Sequence, residues 1–200
     1  MLNDQQIERY SRQIIAIGGI AQERLLAARI TIAGETADVE PVLDYLVGAG
    51  VGRINLCVID ETQNGARLVA RARELNADIV IEAAGPIDEL SRASLLILAG
   101  SAAALAQAAN LCVKHERSPT VFARLDRPAR VVTIAALPSY PACVAAKLFA
   151  PLSRRSAAAG IVAMVAATEA LKLLFTDPSE LHSSIIEFAS YENPLRSAAH

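Results

Sequence analysis

Short apolar segments alternate with helical segments along most of the chain, and this alternation constrains the fold more strongly than any other feature. Residues 29–33 (RITIA) form an apolar run that ends at Gly34, and residues 38–50 carry apolar side chains at helical spacing. Residues 51–60 (VGRINLCVID) are largely apolar, as expected of a parallel strand buried on both faces. The order strand, helix, strand predicts a βαβ unit.

The same alternation continues towards the C-terminus and sets the predicted fold class. Further strands are predicted over residues 77–83, 93–100, 119–123, 130–137 and 183–190. A helix is predicted from Asp4 to about Ala16, and a second short helix follows within residues 18–29, just before the first strand. Further helices are predicted from about Ala66 to Leu75, over 101–114 and over 157–175. This order predicts an α/β fold: a Rossmann-like, doubly wound, mostly parallel sheet with helices on both faces and an antiparallel C-terminal part.

Charge and hydropathy exclude two classes of partner. The net charge is −2 with a pI near 5.9, and the basic residues are not clustered, so we expect no nucleic-acid binding. The most apolar stretch, residues 157–175, is rich in alanine and contains Glu169 and Lys172, which favours a buried helix over a membrane span.

The N-terminal residues 1–13 are polar and lack the apolar core of a signal peptide, so we expect a cytoplasmic protein.

The three cysteines, Cys57, Cys112 and Cys143, are widely spaced and odd in number. This arrangement predicts neither a disulfide framework nor a paired-cysteine metal site. We expect all three to be small core residues.

Acidic residues occupy the loop where nucleotide-binding folds of this class place a glycine-rich phosphate loop. The segment GETADVEP (34–41) follows the first strand and contains Glu35, Asp38 and Glu40, but no glycine after Gly34. Acids are favourable at a helix N-terminus whether or not a ligand is present. We therefore expect Thr36 or Asp38 to cap the helix and the acids to occupy the place of a phosphate.

Four segments, taken in order, resemble the ThiF/MoeB/HesA family and the adenylation domains of ubiquitin-activating enzymes. They are RYSRQI (9–14), GGIAQERLLAARITIAG (18–34), AGVGRINL (49–56) and VAATEALKLL (165–174). The resemblance implies one domain over residues 1–200: an N-terminal helical arm (1–28), a nucleotide-binding-like core (29–125), and C-terminal strands with a dimerisation helix (126–200). Members of this family use ATP and magnesium to adenylate the C-terminal carboxylate of a ubiquitin-like protein.

The chain departs from the family pattern where the pattern binds ATP. Of the family's GxGGxGxP loop only Gly34 and Pro41 remain, and Val58 replaces the aspartate that holds the ribose. The following ATP-binding segment is shortened. Gly100 aligns with the magnesium-binding catalytic aspartate, and Cys143 is the one residue left of the family's zinc-binding cysteine pairs. We therefore expect no catalytic residue, no metal site and no cofactor.

The family's N-terminal signature is intact in this chain, which suggests a role in support of an active partner. In the family, the counterpart of Arg12 reaches across the dimer towards the neighbouring subunit's phosphates, so Arg9 and Arg12 are candidates for contacts in trans. Salt bridges of the arm itself are the alternative for both arginines. We therefore expect a catalytically inactive protein that is a dimeric scaffold, or the inactive partner of an active adenylating enzyme.

Two further functions stay open. The first is binding of a different small ligand in the crevice at the carboxyl ends of the strands, for which the candidates are Asp60, Glu61, Thr62, Gly100 and Ser101. The second is divergent adenylyltransferase activity. Expected partners are a second copy of the chain, an active family homologue, or a ubiquitin-like or sulfur-carrier protein.

Overall fold

The computed structural model of the chain describes residues 1–60, 62–83, 95–100, 120–124, 129–134, 159–176 and 184–188. The predicted helix over 101–114 lies outside these residues, as do Cys112 and Cys143. Cys57 is a free, buried thiol of the core. Within the described ranges no helix has the length and hydropathy needed to cross a bilayer.

The N-terminal arm consists of three short helices, α1 (Asp4–Arg9), α2 (Ser11–Ile17) and α3 (Gly19–Ala27). The prediction of one helix from Asp4 to about Ala16 was wrong, because the chain leaves helical geometry at Tyr10. The Tyr10 ring is buried, and it lies so close to Gly50 that a Cβ at that glycine would approach the ring to 2.7 Å. Burial of this ring against the body of the protein accompanies the break between α1 and α2.

The core begins with the predicted βαβ unit, formed by β1 (Arg29–Gly34), α4 (Thr36–Ala49) and β2 (Arg53–Val58). It continues with α5 (Thr62–Leu75), β3 (Val80–Ala83), β4 (Leu95–Gly100), β5 (Thr120–Arg124) and β6 (Ala129–Ile134). The alanine-rich helix α6 (Ala159–Phe175) and the strand β7 (Ser184–Phe188) follow. Each of these core elements was predicted from its hydrophobic pattern, with bounds that differ by a few residues.

All seven described strands form one sheet in the order β3-β2-β1-β4-β5-β6-β7. The strands from β3 to β5 in this order are parallel, whereas β6 and β7 pair antiparallel to their neighbours. The predicted α/β fold, with a mostly parallel sheet and an antiparallel C-terminal part, is confirmed. β2 and β4 lie on opposite sides of β1, so the strand order changes direction at β1. Sheets of this kind open a crevice at such a point, at the carboxyl ends of their strands.

Helix α4 is the central helix of the described core. It packs against β1, β4, α5 and α6, and its apolar residues Val39, Val42, Leu46 and Val47 are fully buried. A helix in this position also buries the polar groups of its ends, which need partners.

The last four carbonyl groups of α4 all accept hydrogen bonds. Val51 N–H donates to the Leu46 carbonyl at 3.1 Å, in a turn that is closed by Gly50 with a positive φ of 81°. Side-chain amides satisfy the other three carbonyls: Asn76 bonds Val47 at 2.8 Å, Gln13 bonds Gly48 at 3.2 Å and Gln22 bonds Ala49 at 3.0 Å. Two of these amides come from the N-terminal arm, so the arm docks on the carboxyl end of α4.

We expect Gln22 to contribute more to stability than Gln13, although both donate to the last turn of α4. Gln22 is fully buried, so Gln22→Met leaves the Ala49 carbonyl without a donor or water and lowers the free energy of unfolding by about 1–3 kcal/mol. Gln13→Met serves as the matched control, and we expect a change within about 0.5 kcal/mol because water replaces the exposed bond. Urea unfolding of both variants measures the difference, and equal losses would contradict the greater contribution expected of the buried hydrogen bond.

Candidate functional site

The carboxylate of Asp60 lies on the N-terminus of α4. Asp60 follows the end of β2 by two residues, and α4 begins two residues after the end of β1. The Thr36 backbone N–H is 3.1 Å from both carboxylate oxygens of Asp60, and the Thr36 hydroxyl donates to Oδ1 at 2.7 Å. The contact therefore joins the carboxyl ends of β1 and β2. These two strands are parallel neighbours, paired from Arg29 with Arg53 to Gly34 with Val58.

This carboxylate occupies the type of position at which nucleotide-binding folds hold a phosphate. A helix N-terminus offers unsatisfied N–H groups and a positive dipole end, both of which favour an anion. Asp60 supplies that anion from within the chain. The prediction that Thr36 or Asp38 caps α4 was wrong: Glu35 is the N-cap residue, its side chain makes no capping hydrogen bond, and Thr36 is the first helical residue.

The acids of the loop separate into two environments. Asp38 is 4% exposed and lies in the first turn of α4, where the helix dipole favours its charge. Glu40 points to α5 instead, and it pairs with Arg67 at 3.3 Å and with Arg71. Arg71 also pairs with Asp44 at 2.6 Å. Arg67 and Arg71 therefore join α5 to α4.

Gly34 and Pro41 are the two residues retained from the family loop, and the packing of the sheet explains the glycine. A Cβ at Gly34 would lie 1.7 Å from the Ala99 carbonyl oxygen, so only glycine allows β1 to approach β4 at this point. The Gly34 carbonyl also accepts a hydrogen bond from Ile59 N–H at 3.0 Å. Pro41 lies in the second turn of α4, where it lacks the N–H that an ordinary residue donates.

Of the remaining candidate crevice residues, those that the structure describes lie near the same carboxyl ends of the strands. Gly100 is the last residue of β4, whose neighbour Ala99 pairs with Gly34, and Thr62 is the first residue of α5. Glu61 and Ser101 lie outside the described residues. Among the residues that the structure does describe, no group of three His, Cys, Asp or Glu side chains could hold a metal ion.

Arg9 is engaged within the chain. Its Nε lies 3.1 Å from Asp78 Oδ2, and its NH1 donates to Asn76 Oδ1 at 3.3 Å. The buried Asn76 also donates to the Tyr10 hydroxyl at 2.9 Å. Burial raises the pKa of Tyr10, the Asn76 hydrogen bond lowers it, and Asp78 raises it further.

Asn76 and Asp78 were missed from the sequence. They lie just after α5, far along the chain from the arm that they hold. A pair of short polar residues between a helix and a strand usually indicates only a turn.

Arg12 differs from its neighbours in the arm. Its side chain is exposed on α2 and forms no ion pair or hydrogen bond within the described part of the chain. The structure thus separates the two candidate arginines: Arg9 binds Asn76 and Asp78, whereas Arg12 faces solvent.

The chain is similar to known proteins in part of its sequence and in its fold. No protein-family model matches the chain. A sulfur carrier protein adenylyltransferase of Thermus thermophilus is 39% identical over 61 residues, which span 30% of this chain and only 22% of that protein.

Solved structures resemble the chain over most of its length. The E. coli tRNA N6-threonylcarbamoyladenosine dehydratase TcdA aligns with a TM-score of 0.65 at 16% identity, over 90% of this chain and all of that one. E. coli MccB, solved with AMPCPP and MccA, aligns with a TM-score of 0.62 at 16% identity, over 90% of this chain and 70% of that one. PaaA aligns with a TM-score of 0.62 at 14% identity, over 94% and 84% of the two chains. Identities this low establish the fold alone.

The fold is thus the Rossmann-like fold that the chain shares with TcdA, MccB and PaaA. The resemblance to the ThiF/MoeB family is confirmed at the level of the fold and of the 61 residues that match a sulfur carrier protein adenylyltransferase.

We expect Asp60 and Thr36 to be energetically coupled. Asp60→Ala removes the anion from the end of α4 and lowers the free energy of unfolding by about 1 kcal/mol, the usual contribution of a helix-capping group. Thr36→Val, which keeps the shape of the side chain, removes the hydroxyl donor of the same contact. In a double-mutant cycle measured by urea unfolding, the two losses should fall short of additivity by at least about 0.5 kcal/mol. Additive losses would contradict the hydrogen bond between the Thr36 hydroxyl and Asp60.

Proposed function

We propose that the protein is a catalytically inactive relative of the ThiF/MoeB adenylyltransferases, acting as a dimeric scaffold or as the inactive partner subunit of an active adenylating enzyme. The observation that carries this proposal is the hydrogen-bonded contact between Asp60 and Thr36 at the amino end of α4. A phosphate bound to this helix end would meet that carboxylate.

Electrostatics quantify the conflict. A carboxylate about 5 Å from a phosphate charge costs about 3 kcal/mol at an effective dielectric constant near 20. Displacing Asp60 would remove this repulsion, but it would also break both bonds to Thr36. Either route weakens nucleotide binding.

Among the residues that the structure describes here, Val58 and Gly100 do not supply the missing contacts. The side chain of Val58, at the end of β2, has no group that accepts a hydrogen bond from a ribose hydroxyl. Gly100, at the end of β4, has no side chain with which to bind magnesium. Together with the filled helix end, these residues support loss of the adenylation chemistry.

The exposed face of α6 and the free Arg12 support a role in assembly. Ile161 and Met164 lie on one face of α6 and are 61% and 42% exposed. A second chain covering them would bury apolar surface. Arg12 could at the same time offer a guanidinium to an active partner's phosphate region. Active homologues and their carrier proteins are the partners that the relatives suggest, since one relative is a sulfur carrier protein adenylyltransferase and MccB was solved with MccA. That the protein is cytoplasmic stays a prediction.

Isothermal titration with ATP and magnesium, repeated with AMP, tests the loss of nucleotide binding. We expect no binding heat at millimolar nucleotide, because Asp60 occupies the helix end and the ribose and magnesium ligands are missing. An intact family adenylyltransferase under the same conditions is the positive control. A dissociation constant below about 100 μM, or about 5.5 kcal/mol of binding free energy, would contradict the proposal and favour a divergent adenylyltransferase.

We further expect Arg12→Ala to weaken assembly with a partner without changing the stability of the chain. Arg12 forms no described internal contact, so its removal leaves the fold intact. Co-purification with an intact homologue, together with that homologue's adenylation rate, measures the effect. Arg53→Ala, at another exposed arginine, is the matched control. If both variants support the partner's adenylation rate equally, Arg12 does not act in trans.

A further inference from the structure

A cleft of about 500 Å³ lies between the N-terminal arm, the carboxyl half of α4 and the end of α6. This volume falls within the range of small-molecule sites in proteins. Among its lining residues are the apolar Ile17, Leu25, Leu171 and Phe175, together with the polar Gln13 and Asp44. The cleft is distinct from the amino end of α4, where Asp60 lies.

Asp44 gives the cleft its electrostatic character, since it is the one charged residue among the described residues of the lining. Its Oδ2 lies 2.6 Å from Arg71 NH2, but Arg71 is shared with Glu40. Burial raises the pKa of Asp44, Arg71 lowers it, and the neighbouring Glu40 raises it. The carboxylate is therefore partly desolvated at the wall of an apolar cleft, with a counter-ion that it shares.

We propose that this cleft binds a small apolar molecule that carries a cationic amino group. The hydrocarbon part packs against Ile17, Leu171 and Phe175, and the ammonium lies against the carboxylate of Asp44. A carboxylate ligand would face repulsion from Asp44, and a neutral alcohol would gain no ion pair. The charge of the lining therefore selects the class of ligand, and this site is independent of the proposed loss of nucleotide binding.

Three probes of equal chain length separate charge from hydrophobicity: hexylammonium, hexanol and hexanoate. Titrations followed by NMR shifts of α4 and α6 residues should show hexylammonium binding at least about tenfold more tightly than hexanol, as one partly buried ion pair predicts. Hexanoate should bind most weakly. Added salt should weaken hexylammonium binding, because it screens the ion pair. Equal affinity for the three probes, or no binding of hexylammonium, would overturn the proposal.

Two variants locate the site by independent means. Asp44→Asn removes the charge and should bring the affinity of hexylammonium to within about twofold of that of hexanol. Gly48→Leu fills the cleft from α4, and we expect the variant to fold, because a Cβ at Gly48 meets nothing within 4 Å.

Gly160→Leu is the matched control for the filled cleft. Gly160 is exposed on α6 and outside the cleft, and a Cβ there also meets nothing within 4 Å. Hexylammonium binding should be lost in Gly48→Leu and kept in Gly160→Leu. Unchanged binding in Gly48→Leu would contradict the assignment of the cleft, whatever the outcome with Asp44→Asn.

Discussion

The buried helix α4 needs partners for the polar groups at both of its ends, and much of the described structure is arranged around that need. The helix packs on β1 and β4 and is flanked by α5 and α6, so most of its carboxyl end is buried. Asn76, Gln13 and Gln22 bring their side-chain amides to the last-turn carbonyls. At the other end, the carboxylate of Asp60 accepts from the first N–H of the helix. Buried backbone groups without partners would cost free energy comparable to a lost hydrogen bond.

The hydrogen-bond partner at the amino end of α4 has a functional consequence. An N–H group of a helix end can serve a bound phosphate or a side-chain carboxylate, and in this chain it serves Asp60. Glu40 of GETADVEP is therefore not part of the phosphate substitute that the sequence suggested. Glu40 turns to the arginines of α5, Asp38 is buried in the first turn, and the substitution is made by a residue from the end of the next strand.

Most of the fold could be predicted from the sequence, but the contacts that complete the ends of α4 could not. Strands such as β1 and β4 are short, apolar and bounded by glycine, so their pattern is local and readable. The contact of Thr36 with Asp60 spans 24 residues, and the contact of Tyr10 with Asn76 spans 66. Capping rules apply to neighbouring residues, so they favoured Thr36 or Asp38 and missed a cap from another strand.

The N-terminal signature RYSRQ has a structural explanation at three of its five positions. Arg9 binds Asp78, Tyr10 buries its ring against Gly50, and Gln13 donates to the carboxyl end of α4. Their retention therefore follows from the need to dock the arm, and it is not by itself an argument for a role in trans. Arg12 has no such contact among the described residues, so the fold does not account for it. The case for action on a partner consequently depends on Arg12 and no longer on Arg9.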